Sequence, residues 1–210
     1  MIMKEPISPL LESKTFRRAF HLASEAHRGQ VRVSGAPALS HPFAVAAMLA
    51  RRGADSDTLS AAILHDVVED TPVCVGEIRH DFGWRVAEVV MLMSKPGGGA
   101  EAPVMQILED ERPDKYSTLL LQAIYVKLYD RIHNLDTVGS LSIERQRRMA
   151  DETIRVLYPA ALGVDPALAH VLHNLSSKVL SGICAAENVR TPARFLLEAD
   201  NADARMSRAA

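Results

Sequence analysis

Apolar positions recur at spacings of three and four along nearly the whole chain, and nowhere does a convincing stretch show the two-residue alternation of a half-buried strand. The pattern predicts an all-α protein. A first helix is expected from about Glu12 to His27, where Phe16, Ala19, Phe20, Ala23 and Ala26 form one apolar stripe. Gly35 and Pro37 break that rhythm, so Gly29 to Pro42 reads as a loop. A second helix begins near His41 with Pro42 in its first turn and stops at Gly53; Ser56 or Asp57 can cap a third, running through Leu59, Ala62 and Ile63 into His65. Beyond Thr71-Pro72, two short helices, Val75 to Asp81 and Trp84 to Met93, flank Gly83. Lys95 to Pro103, with Gly97, Gly98 and Gly99 in a row, reads as a flexible link. Tyr116 to Leu135 is a long apolar run suited to a central buried helix, and helices from Ser142 to Leu162 and from Pro166 to about Ile183 complete the set. No internal repeat or shift in composition divides the chain. Residues 1–200 are expected to form one domain, followed by a polar, alanine-rich tail over 201–210 that frays.

Composition narrows the function classes. At 210 residues with 48% hydrophobic side chains, the chain can build a substantial core. A formal charge of −2 supplies no basic field, so a polymeric nucleic acid is not an expected partner, whereas a small anionic substrate is compatible. Cys74 and Cys184 match no metal or redox spacing and read as free thiols in a reducing compartment. The stretch Met1 to Leu11 is too short and too interrupted by Lys4 and Glu5 to be a signal peptide. No segment reaches the ~20 apolar residues of a membrane helix. A cytoplasmic location is therefore expected, with no membrane association; the pattern says nothing of oligomeric state.

Four side chains that can bind metal stand out against this helical background: His41, the adjacent pair His65 and Asp66, and Asp130. Two imidazoles and two carboxylates suit a divalent cation such as manganese, iron or zinc, and the lack of a thiolate argues against a structural zinc knot. Glu69 lies four residues after His65, and Asp70 four after Asp66, so a continuous helix would set all four polar groups on one face. Asp130 and Asn134 are likewise four apart, with Arg131 and His133 beside them. Ionisable groups so dense within apolar helices are costly unless paired or metal-bound, which points to a site. His21, His80, His170 and His173 read as ordinary core or surface residues, and His27 as packing or capping its helix end. Arg145, Arg147, Arg148 and Arg155 read as a solvated face. The three glycines are not a phosphate cradle, because no Gly-Lys-Ser/Thr follows them.

The ordered set His41, His65-Asp66, Asp130 resembles the metal signature of the HD superfamily of phosphohydrolases. The string from Ala26 to Gly35 (AHRGQVRVSG), with Pro37 and His41-Pro42, is similar to the entry of the hydrolase domain of RelA/SpoT-type alarmone enzymes. So are His65 to Thr71 (HDVVEDT), Phe82-Gly83, and Lys127 to Asn134 (KLYDRIHN), and together these matches span roughly residues 20 to 140. The resemblance implies an HD-type helical bundle with a metal site in its core. It implies manganese-dependent removal of the 3′-pyrophosphate from guanosine tetra- or pentaphosphate, with His41, His65, Asp66 and Asp130 holding the ion. Glu69 and Asp70 would orient or deprotonate the attacking water, and Arg32, Ser34 and Asn134 would contact the nucleotide. A synthetase domain follows the hydrolase in that family, and 210 residues leave no room for one, so the expectation is a small stand-alone alarmone hydrolase.

Three positions depart from that pattern: Val33 replaces the usual lysine, and Ala36 and Ala38 replace an acidic residue and a tyrosine. The segment from Pro96 to Lys115 is also unlike its counterpart. Two alternatives follow: an HD phosphohydrolase for another nucleotide or phosphate ester, and a non-catalytic helical sensor that binds nucleotide or metal without turnover.

Overall fold

The computed structural model describes residues 12–95, 102–109 and 117–206, with side chains through residue 186. Residues 96–101 of the expected Lys95–Pro103 link, the Asp110–Pro113 run, Tyr116 and residues 207–210 of the tail lie outside the described residues, as does the Met1–Leu11 stretch. Among the described residues there is no β-strand, only an isolated bridge between Val31 and Pro37.

Among the described residues eleven α-helices follow in order: α1 Lys14–Ala26, α2 Ser40–Arg51, α3 Ser56–Leu64, α4 Val67–Asp70, α5 Val75–Phe82, α6 Trp84–Met93, α7 Pro103–Glu109, α8 Thr118–Asp136, α9 Ile143–Glu152, α10 Tyr158–Val164 and α11 Pro166–Met206. Two of them make the centre. α3 is buried at every residue from Thr58 to Leu64, and it packs between α1, α2 and α6. α8 buries Ala123, Ile124, Val126, Leu128, Ile132 and Leu135 against α2, α6 and α11. A helix apolar all round is stable only when neighbours cover every face, a condition α3 meets from Thr58 to Leu64, whereas α8 keeps a polar face with Lys127, Asp130 and Asn134.

The cap of α3 is Asp55, one residue earlier than expected. Its extended backbone lets the carboxylate accept the Thr58 N–H at 2.8 Å, and its second oxygen accepts from Gln122 Nε2 at 2.8 Å, which ties the start of α3 to α8. The single helix expected over Ser142–Leu162 is interrupted by a widened π turn at Thr153–Leu157, where the Tyr158 N–H reaches back five residues to the Thr153 carbonyl. Pro159 explains it: the ring supplies no N–H and crowds the preceding turn, and the wider turn absorbs the conflict. Buried Arg131 fills the opened space, hydrogen bonding the Met149 carbonyl at 3.2 Å and pairing with Glu152 at 2.7 Å. The last helix runs past Ile183 to Met206, through an alanine-rich segment. No helix among the described residues is long and apolar enough to cross a membrane.

Candidate metal centre

Each of the four predicted ligands sits where a helix starts, ends or crosses the core. His41 is the second residue of α2, and the turn of chain before it is set by Gly35 (φ 83) and by hydrogen bonds from the Arg32 N–H to the Ala36 carbonyl and the Ala38 N–H to the Gln30 carbonyl. A non-glycine residue would be strained at that φ. His65 and Asp66 occupy the turn between α3 and α4, and Asp130 stands in the buried middle of α8.

The fold brings the four together. His41 Nε2 lies 3.0 Å from Asp130 Oδ1 and 3.9 Å from Asp66 Oδ2, and His65 Nε2 lies 3.1 Å from Asp66 Oδ1. His41, His65 and Asp66 offer ligand atoms that all fall within 4.8 Å of one another, and Asp130 joins them through His41. Three of the four are nearly inaccessible, with His41 2%, His65 4% and Asp130 6% exposed, while Asp66 opens the group to solvent.

The donor chemistry fits a divalent cation. His65 Nδ1 lies 2.8 Å from the Ala62 carbonyl, which can only accept, so Nδ1 carries the hydrogen and Nε2 of the neutral ring is a lone pair. That Nε2 is buried, has no hydrogen bond of usable geometry, and faces a carboxylate. A lone pair in such a place calls for a positive charge. The same field acts on protons: burial disfavours a charged His65, yet the negative charges of Asp66 and Asp130 outweigh it and raise the ring to about 9. Burial works to raise Asp66, and the neighbouring His65 and His41 bring it down to about 2. Asp130 is likewise held well below the carboxylate range against its burial, first by Lys127 and then by the two histidines.

Around the ligands runs a polar layer that sequence reasoning saw only in part. Lys127 Nζ donates to Asp130 Oδ2 at 3.1 Å, Asn134 Nδ2 donates to Asp130 Oδ1, and Arg32 Nη2 donates to Asn134 Oδ1 at 3.0 Å. Arg32 and Asn134 thus meet, and with Ser34 they border a cavity of about 290 Å³ beside the metal group. Asn134 has its amide oxygen and nitrogen engaged by Arg32 and Asp130, so it braces a ligand as well as lining that cavity. Val33, 69% exposed, borders the same cavity.

Glu69 and Asp70 do not share a face as the continuous-helix reading expected. The helix breaks at His65-Asp66, and the single turn Val67–Asp70 points the two acids apart. Glu69 faces a cavity of about 280 Å³ together with His41, His65, Asp66 and Asp130, its Oε1 fixed by the Lys95 N–H at 2.8 Å. Asp70 faces a separate cavity of about 510 Å³ with His27, Gln30 and Arg32, and Asp66 borders both. His27, at the C-terminal cap of α1, packs there with Nδ1 2.8 Å from Gln30 Oε1, and Gln30 Nε2 donates to the Asp70 carbonyl at 2.9 Å.

Two further residues were missed as partners. Lys127 is three residues before Asp130, a spacing that signals contact on a helix, and His133 is three after it. His133 Nδ1 lies 2.8 Å from His41 Nδ1, and burial, the nearby His41 and Arg32 push its ring down to about 4, so it stays neutral.

A family model described as the HD domain matches residues 19–162, which contain every one of these side chains. The chain belongs to the HD-domain family. Over 154 aligned residues the chain is 38% identical to the bifunctional (p)ppGpp synthase/hydrolase SpoT of Escherichia coli, covering 70% of this chain and 21% of that protein. Another 37% identity over 166 residues links it to a GTP pyrophosphokinase of Streptomyces coelicolor, covering 73% of this chain and 18% of the relative. The chain therefore spans about a fifth of the length of these curated relatives. A solved structure, described as a metazoan ortholog of SpoT that hydrolyzes ppGpp, superposes with a TM-score of 0.67 at 22% identity over 84% of this chain and 98% of that one. That likeness establishes the helical HD-domain fold.

Proposed function

We propose that this HD domain is a metal-dependent phosphohydrolase that removes the 3′-pyrophosphate from guanosine tetra- or pentaphosphate, with manganese as its ion. The observation that carries the reading is the convergence of His41, His65, Asp66 and Asp130, with the buried His65 Nε2 making no hydrogen bond and lying 3.1 Å from the Asp66 carboxylate. Similarity to a (p)ppGpp synthase/hydrolase directs it to the guanosine alarmones. His41 Nε2, His65 Nε2 and the Asp66 and Asp130 carboxylates would hold the ion. Bound there, a divalent cation acidifies water and draws negative charge from phosphorus.

This chain's own residues supply the rest. Glu69 shares the ligands' cavity and is pinned by a backbone amide, so it is the base that takes the proton from the attacking water. Asp70, whose N–H donates to the Asp66 carbonyl at 3.0 Å, borders the neighbouring cavity instead. Arg32, Lys95 and Lys127 border the Glu69 cavity and offset the charge of a pyrophosphate entering it. Ser34 and Asn134, beside Val33, border the adjoining cavity and hold the nucleoside.

Val33 favours one second reading, in which the substrate is a different phosphate ester, because an exposed valine there offers no charge to a phosphate. A panel of nucleotides incubated with the manganese-loaded protein separates the two. Pyrophosphate together with GDP or GTP should appear fastest from the guanosine alarmones; faster turnover of any other phosphate ester would give the site to that substrate.

A further inference from the structure

His41 meets the site with both faces of its ring. On one side Nε2 lies 3.0 Å from Asp130 Oδ1 and 3.9 Å from Asp66 Oδ2. On the other, Nδ1 lies 2.8 Å from His133 Nδ1, with the ring centroids 4.8 Å apart and the planes tilted by 49°. Two ring nitrogens at that distance share one hydrogen, because an N–H on both would clash and a lone pair on both would repel. If Nε2 is to offer a lone pair to a cation, the hydrogen belongs to His41 Nδ1, and His133 Nδ1 is the acceptor. Asp130 and His133 stand three apart on α8, so one helical turn presents both a ligand and the group that orients the neighbouring ligand.

We propose that His133 is a positioning residue that accepts the Nδ1–H of His41, fixing the ring and the tautomer that leave His41 Nε2 free to bind a divalent cation. The inference rests on the metal reading above and extends it to a residue one layer further out. Partners of this kind, which hold the far nitrogen of a metal-binding histidine, typically change metal affinity by about 10–100-fold when removed. His133 acts through His41 and need not touch substrate.

The test is calorimetric titration of Mn²⁺ into metal-stripped full-length protein, comparing wild type with His133→Leu and His133→Asn. Leucine removes the acceptor, whereas asparagine places a carbonyl oxygen close to the position of the lost Nδ1. The expected result is a Kd weakened about 10–100-fold in His133→Leu and largely rescued in His133→Asn, with both variants melting near wild type when metal-free. Equal Mn²⁺ affinity in wild type and His133→Leu would overturn the proposal. Should His133→Leu fail to fold, ¹⁵N-labelled wild type loaded with diamagnetic Zn²⁺ decides: a coupling between the ring nitrogens of His41 and His133 supports the shared hydrogen, and a protonated His133 Nδ1 refutes it. A wild-type protein that takes up neither Mn²⁺ nor Zn²⁺ would instead bring down the metal reading itself.

Discussion

Asp66→Asn is expected to cost the protein its metal and with it essentially all pyrophosphate release, while leaving the helical fold intact. The carboxylate lies 3.1 Å from His65 Nε2 and 3.9 Å from His41 Nε2, and it is the member of the group open to solvent. Asparagine keeps the shape and removes the charge. Two consequences follow from the electrostatics. The site loses one of its two negative charges, and the pull that Asp66 exerts on the His65 ring disappears. Losing a partner outside the ligand set typically weakens a metal site by about 10–100-fold, so losing a charged ligand should exceed about 100-fold. Because Asp66 is held near 2 by its neighbours, it is ionised at every pH at which the protein would be assayed, so the asparagine removes a full charge throughout that range. Calorimetric titration of Mn²⁺ beside a pyrophosphate assay measures both effects; retained metal affinity with lost turnover would remove Asp66 from the ligand set.

The opposite separation is expected at Glu69. Glu69→Gln should lower the rate by about 10²–10⁴-fold, the usual contribution of a positioned base, while Mn²⁺ affinity stays within a few-fold of wild type. Glutamine can still accept the Lys95 N–H, so the side chain keeps its place and only its basicity is lost. Asp70→Asn should cost much less, since Asp70 opens into the cavity beside His27 and Gln30 rather than the one the ligands share. A larger loss at Asp70 than at Glu69 would exchange their roles. Adjacent residues on one helical turn point about 100° apart, which is the geometric reason both acids cannot serve one water equally.

How much of this was legible without coordinates follows the range of each interaction. Helix identity depends on local periodicity, and the runs around Phe16, Ile63 and Ile124 revealed their helices directly. Asp55 was overlooked as a cap because Ser56 and Asp57 offer the same chemistry within two positions, and only the extended backbone at Asp55 selects it. The break at His65-Asp66 leaves no mark in the pattern, since neither residue is a helix breaker; the two sit in a turn between helices. Pro159 did carry a signal for the π turn, but a proline near the middle of a periodic segment does not say whether the helix ends, kinks or widens. The four metal-capable residues were visible because their order is distinctive. The contacts of Lys127 and His133 were not singled out, because i,i+3 neighbours of a buried aspartate are common and nothing local shows that His133 reaches His41, 92 positions away.

The account stands most directly on a metal titration of catalysis. Protein stripped of metal is mixed with guanosine tetraphosphate, Mn²⁺ is added in fractions of an equivalent, and pyrophosphate release is followed. The account predicts no release without metal and a rate that rises to a plateau at one ion per chain, with GDP as the other product. Full release from the stripped protein, or none at any Mn²⁺ concentration, would contradict it.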